Sequence, residues 1–178
     1  MEKSKIKRIN RPDLVVGIDP DSERSGFAIV SRRAKKILTA TALRFPDLIG
    51  QIAQLKKECE QTGERLLIIV EAGWLNAGNW HLTRHDTPSV ASKKGVGIGR
   101  NQQTGILTAE VCEAVGLDTK CVKPLRKCWS GKDRKITTAE LEQICGHKLG
   151  RCNQEARDAS LLAWAWADLP IVIKKNLR

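Results

Sequence analysis

The chain reads as an α/β protein with a central five-stranded mixed sheet, an antiparallel meander joined to two parallel strands, flanked by helices. Three observations predict this. Residues 13–43 hold three runs of strand formers separated by short polar turns, the pattern of consecutive hairpins. Leu66-Leu67-Ile68-Ile69-Val70 is an unbroken apolar run after a helical segment, as in a strand buried on both faces. From there on, helical and strand patterns alternate, which calls for crossovers between parallel strands.

Residues 1–12 are basic, polar and closed by Pro12, and are expected to be a mobile lead. Residues 13–19 form the first strand, 24–31 the second and 36–43 the third. Pro46 opens a helix in which Leu48, Ile49, Ile52 and Leu55 recur at helical spacing, ending near Thr62-Gly63. Residues 66–71 are the fourth strand. Residues 72–99 carry Gly73, Gly78, Pro88, Gly95, Gly97 and Gly99 with no clear period and read as a long loop. A helix is expected from about Asn101 to Val115, with Ile106, Leu107, Val111 and Val115 as its apolar stripe and Gly116 as its stop. Residues 118–123 form the fifth strand. Thr137 to Glu140 signals the start of a short helix. Asn153 caps the last helix, which runs toward Leu169 and Pro170 and turns Leu161, Leu162, Ala165 and Trp166 to the sheet. A single domain over 13–170 and a basic tail over 171–178 complete the chain.

Lysine and arginine number 31 against 20 acids, a net +11. That excess favours a polyanionic partner, nucleic acid before a membrane surface, because no basic amphipathic helix with a broad apolar face stands out. No apolar run reaches membrane-spanning length and no apolar stretch follows the first basic residues, so the expected location is the cytoplasm, nucleoid-associated or in the host cytoplasm if the source is viral. The six cysteines form no C-x-x-C pair. Cys128, Cys145, His147 and Cys152 have spacing unlike a zinc knuckle or ribbon, and reduced thiols are expected.

The chemistry gathers on acids. Asp19 ends the first strand and Glu71 the fourth, while Glu155 and Asp158 lie three apart and share one helix face. Singly, each has a structural explanation: a turn acid, a strand end, or a first-turn acid favoured by the helix dipole. Together, on a basic chain in this strand order, they suit two-metal hydrolysis of a phosphodiester, which needs several hard carboxylate ligands at one point.

These residues resemble a known family. The element order is similar to the ribonuclease H-like nuclease fold, and within it to the RuvC-type Holliday junction resolvases. Gly17-Ile18-Asp19-Pro20 with Ser25-Gly26-Phe27-Ala28 matches the family's first hairpin. Ile68-Ile69-Val70-Glu71 matches its catalytic glutamate, and Glu155-Ala156-Arg157-Asp158-Ala159 its final helix. The resemblance implies that Asp19, Glu71, Glu155 and Asp158 are catalytic and bind two Mg²⁺ or Mn²⁺ ions, with Glu155 standing where the family usually has aspartate. It places Trp74, three residues after the glutamate, where an aromatic stacks on an unpaired base, a contact worth about 1–3 kcal/mol. It puts Lys123, Lys132 and Lys135 near the scissile strand, with Lys132 taken as the catalytic lysine that offsets developing charge. Lys93, Lys94 and Arg100 are expected to contact a second DNA arm, and the loop over 75–99 is longer than usual for the family. The implied activity is paired cleavage of four-way junctions by a homodimer, leaving 5′-phosphates, with the 101–115 helix in the dimer interface. The alternatives are a related nuclease acting on RNA–DNA hybrids, flaps or forks, and a non-catalytic nucleic-acid-binding module.

Overall fold

The computed structural model describes residues 11–76, 83 and 85–173. The basic lead through Asn10, the last five residues of the tail, and Trp80 with its neighbours lie outside them. In chain order the elements are β1 (Leu14–Asp19), β2 (Ser25–Ser31), β3 (Lys36–Leu43), α1 (Phe45–Thr62), β4 (Leu66–Glu71), α2 (Pro88–Ala114), β5 (Asp118–Val122), α3 (Thr138–Cys145) and α4 (Gln154–Trp166). The sheet order is β3-β2-β1-β4-β5. Strands β1 to β3 form the antiparallel meander, and β4 and β5 run parallel to β1. This is the ribonuclease H-like arrangement the sequence predicts.

Both sheet faces are covered, which is why the central strands are apolar throughout. Val16, Ile18, Ile68 and Val70 pack under α1 and α2, against Leu48, Ile52 and Cys112. Their neighbours Val15, Leu67 and Ile69 point the other way, into a core with Leu141 of α3 and Leu161, Leu162 and Trp164 of α4. Burial of each large aliphatic side chain contributes about 1.5–3 kcal/mol.

Helix α4 lies almost on the backbone of the meander. A Cβ on Gly17 would stand 2.1 Å from the Ala159 carbonyl oxygen, and one on Gly26 2.0 Å from that of Glu155. No side chain fits in that space, so glycine at these two places fixes the depth at which α4 sits. Asn153 starts the helix as expected, its Oδ1 accepting from the Ala156 amide at 3.0 Å. The buried face differs from expectation by a few residues: Ala163 and Trp164 are buried, whereas Trp166 is exposed and beside Lys120. The glycine contacts at Ala159 and Ala163 set this rotation.

The largest difference lies in α2. The loop expected over 72–99 ends at Thr87, and one helix runs from Pro88 through Ala114. Pro88 supplies a ready-made first-turn φ and the Thr87 hydroxyl accepts from the Val90 amide. Gly95, Gly97 and Gly99 are therefore helical, at a cost of about 1 kcal/mol each relative to alanine. The buried face is also not the expected one. Gly105, Thr108, Ala109 and Cys112 turn inward, while Leu107 and Val115 are exposed.

Candidate active site

Strand register explains why distant acids meet. Asp19 is paired across the hairpin with Gly26, the residue pressed against the Glu155 backbone. Ile18 is paired with Val70 in the parallel ladder, so the next residues, Asp19 and Glu71, leave the sheet side by side. The α4 spacing then brings Asp158 over the same edge. All four acids line one cavity of about 240 Å³. The wall across from them comes from residues 124–129 and from Lys135, with Arg126 and Lys127 bringing positive charge.

The electrostatics follow from crowding. Desolvation by the surrounding protein pushes the Asp19 carboxyl well up, and the charges of Glu71, Asp158 and Glu155 push the same way. Burial and Asp158 raise Glu71 to about 7, against the pull of Lys127, Lys135 and the Leu125 amide. Lys135 Nζ is 3.1 Å from Asp158 Oδ2. Burial works against its charge, but Asp158, Asp19 and Glu155 outweigh that and hold the ammonium above its ordinary value.

A built loop places this lysine. The Trp129 amide donates to the Arg134 carbonyl, and the Gly131 amide to that of Lys135. The Ser130 amide donates to Glu140 Oε1 at 2.9 Å, and the other oxygen of that carboxylate closes the capping box with Thr137. Between them, Asp133 and Arg134 both hold φ near +60° (54° and 60°), left-handed conformations that cost non-glycine residues about 1–2 kcal/mol each. The strained turn reverses the chain so that Lys135 points inward.

The structure thus brings Asp19, Glu71, Glu155, Asp158 and Lys135 together. Lys132, expected as the catalytic lysine, is exposed on the 3₁₀ turn Lys132–Arg134 and does not line the cavity; Lys135 is the lysine beside the carboxylates. Lys123 is exposed just past β5, also off the cavity. Lys93 and Arg100 are exposed on α2, and Lys94 is ion-paired with Asp86 at 2.8 Å. Trp74 is half-buried, its six-membered ring against Gly105 and Pro20, where a Cβ on Gly105 would be 2.6 Å from the ring. Part of its surface stays open.

Sequence reasoning missed several groups. Asp21 lines the cavity, but its oxygens are committed: Oδ1 accepts from the amides of Glu23 and Arg24, and Oδ2 from Asn101 Nδ2 at 3.0 Å. Asn101 thereby ties α2 to the hairpin. Trp129 forms part of the opposite wall. The basic run over 123–135 flagged the segment without saying which of its residues turn inward.

Hard carboxylate oxygens suit Mg²⁺ or Mn²⁺. Carboxyl groups held above their ordinary range by burial and then by mutual repulsion mark a cavity short of positive charge, and the Lys135 ammonium lies where a cation would be drawn. Among the described residues no three His, Cys, Asp or Glu side chains are placed to hold an ion as they stand, so an ion would have to draw the carboxylates together, Asp158 away from Lys135 among them. The same holds for Cys145, His147 and Cys152. Cys145 Sγ lies instead against the carbonyls of Glu142 and His147, the latter at 3.4 Å. No described helix is long and apolar enough to cross a membrane.

No family model and no curated protein matches the chain. Among solved structures it is similar to Thermus thermophilus RuvC in complex with a Holliday junction substrate, at 16% identity and a TM-score of 0.47, over 87% of this chain and 94% of that one. It is also similar to a second T. thermophilus RuvC structure, at 16% identity and a TM-score of 0.46, over 87% and 95% of the two chains.

Proposed function

From a ribonuclease H-like fold with four acids on one cavity, we propose that the protein is a metal-dependent endonuclease that cuts branched DNA, four-way junctions first, leaving 5′-phosphates. The observation that carries this reading is the convergence of Asp19, Glu71, Glu155 and Asp158 opposite Lys127 and Lys135. The four carboxylates would hold two Mg²⁺ or Mn²⁺ ions, which when bound supply an activated water and neutralise charge on the attacked phosphate.

The chain's own residues do the rest. The four acids fix where the phosphate lies by fixing its counter-charge. The Lys135 ammonium, 3.1 Å from Asp158 on the cavity wall, would offset negative charge developing on the phosphate and its departing oxygen. Arg126 and Lys127 draw the DNA backbone toward the cavity, while Lys93, Arg100, Lys123 and Lys132 serve as outer phosphate contacts. The open part of Trp74, which lies near Pro20 and off the cavity lining, offers a stacking face. The motif resemblance of the hairpin, the strand end and the last helix is what favours the junction over other branched substrates. The exposed apolar side chains of Val96 and Leu107 on α2 and of Val115 just past its end favour a homodimer, which paired cuts require.

The test is a gel assay of a synthetic four-way junction against linear duplex and RNA–DNA hybrid, with and without Mn²⁺. Asp19→Asn should abolish cutting while junction binding persists. Undiminished cutting by that variant removes the proposal, and preferential cutting of the hybrid replaces it with a ribonuclease H activity.

A further inference from the structure

We propose that Gln154, held in place by Arg157, is a positioning residue that fixes the Asp158 carboxylate so that Oδ2 alone is presented to a cation in the cavity. The inference rests on the metal-dependent reading above. Gln154 Nε2 donates to Asp158 Oδ1 at 2.8 Å, and Arg157 Nη2 donates to Gln154 Oε1 at 2.8 Å.

The chemistry allows one arrangement. A guanidinium can only donate, so the amide oxygen must face Arg157; an ionised carboxylate can only accept, so the amide nitrogen must face Asp158. Arg157 is itself immobilised. Its Nε donates to the Ile136 carbonyl at 3.1 Å and its Nη1 to the Cys152 carbonyl at 2.6 Å. The Ile136 carbonyl also accepts from Gln154 Nε2 at 3.3 Å. The chain of contacts therefore runs from main chain on both sides of the site, through Arg157 and Gln154, to one oxygen of Asp158. The other oxygen is left to Lys135, the residue next to Ile136.

A capping role does not account for Gln154, because Asn153 already caps α4. Nor does packing, since the side chain is only half-buried. Groups that orient a metal ligand through its second oxygen typically change metal affinity or activity 10–100-fold when removed.

The experiment measures Mn²⁺ binding to the full chain without DNA, by titration calorimetry at pH 8, for the wild type, Gln154→Leu and Gln154→Glu. Melting curves confirm that each variant folds. Leu removes the donor; Glu keeps the volume and the Arg157 contact but faces Asp158 with an acceptor. Both should bind Mn²⁺ roughly 10–100-fold more weakly, with junction affinity in EDTA unchanged. Added negative charge alone would tighten binding in Gln154→Glu, so tighter or unchanged binding in a folded variant overturns the inference. Wild-type binding with unaltered variants removes this inference alone, whereas a wild type that binds no Mn²⁺ removes the proposed function with it.

Discussion

Replacing Glu71 by glutamine should stabilise the metal-free protein and abolish its cutting. The Glu71 carboxyl is raised from 4.5 to about 7 by burial and by Asp158. The folded state therefore holds a proton that the unfolded chain has already released. Stability falls as pH rises through the window from 4.5 to about 7, and the full penalty is present above it. At 1.36 kcal/mol per pH unit the penalty is about 3 kcal/mol. Glutamine carries no charge to desolvate, and its removal of a like charge also relieves Asp19. Urea unfolding in EDTA should show Glu71→Gln more stable by about 3 kcal/mol at pH 8, shrinking to a few tenths at pH 4.5. For a chain of this size the melting temperature should rise by roughly 6–12 °C at pH 8. Mn²⁺ should stabilise the wild type more than the variant, because the ion replaces the missing counter-charge. A variant no more stable than wild type at pH 8, or a gain equal at both pH values, would refute the electrostatic account of the cavity.

Two further outcomes test the scaffold. Gly26→Ala places a methyl 2.0 Å from the Glu155 carbonyl oxygen and should cost about 3 kcal/mol by forcing α4 off the meander. Gly50→Ala, with nothing within 4 Å, should instead gain about 0.5–1 kcal/mol in the same thermal melts. Leu107→Glu, on the outward face of α2, should leave the melting temperature within a few degrees and convert a dimer to a monomer in sedimentation velocity; a wild type that sediments as a monomer would end the dimer proposal.

What the sequence disclosed tracks how local the cause is. The strands were legible because β-branched runs and turn residues act over a few positions, and Asp19 and Glu71 followed once β1 and β4 were placed parallel. That Glu155 and Asp158 share a face followed from helix geometry, and their place at the site from the resemblance of the last-helix motif. The start of α2 was obscured by Gly95, Gly97 and Gly99, which punctuate most sequences but here lie within a helix begun by Thr87 and Pro88. Its packing face was obscured because small residues, Gly105 to Cys112, seat it against the sheet while the larger ones face outward. That Lys135 rather than Lys132 lines the cavity was not legible, because the turn that decides it depends on left-handed Asp133 and Arg134, two residue types with no strong signal for that conformation. The Arg157–Gln154–Asp158 relay left no local trace, since its anchors at Ile136 and Cys152 belong to other segments.

The seating of α4 on Gly17 and Gly26 also sets when the four acids can meet. Two of the four acids, Glu155 and Asp158, ride on this helix, which follows all five strands of the sheet in the chain. Without α4, Asp19 and Glu71 stand on a sheet whose second face is covered only in part by α3, and the charge set is half complete. The four acids would then come together in a single step, when α4 docks and closes the core beneath it.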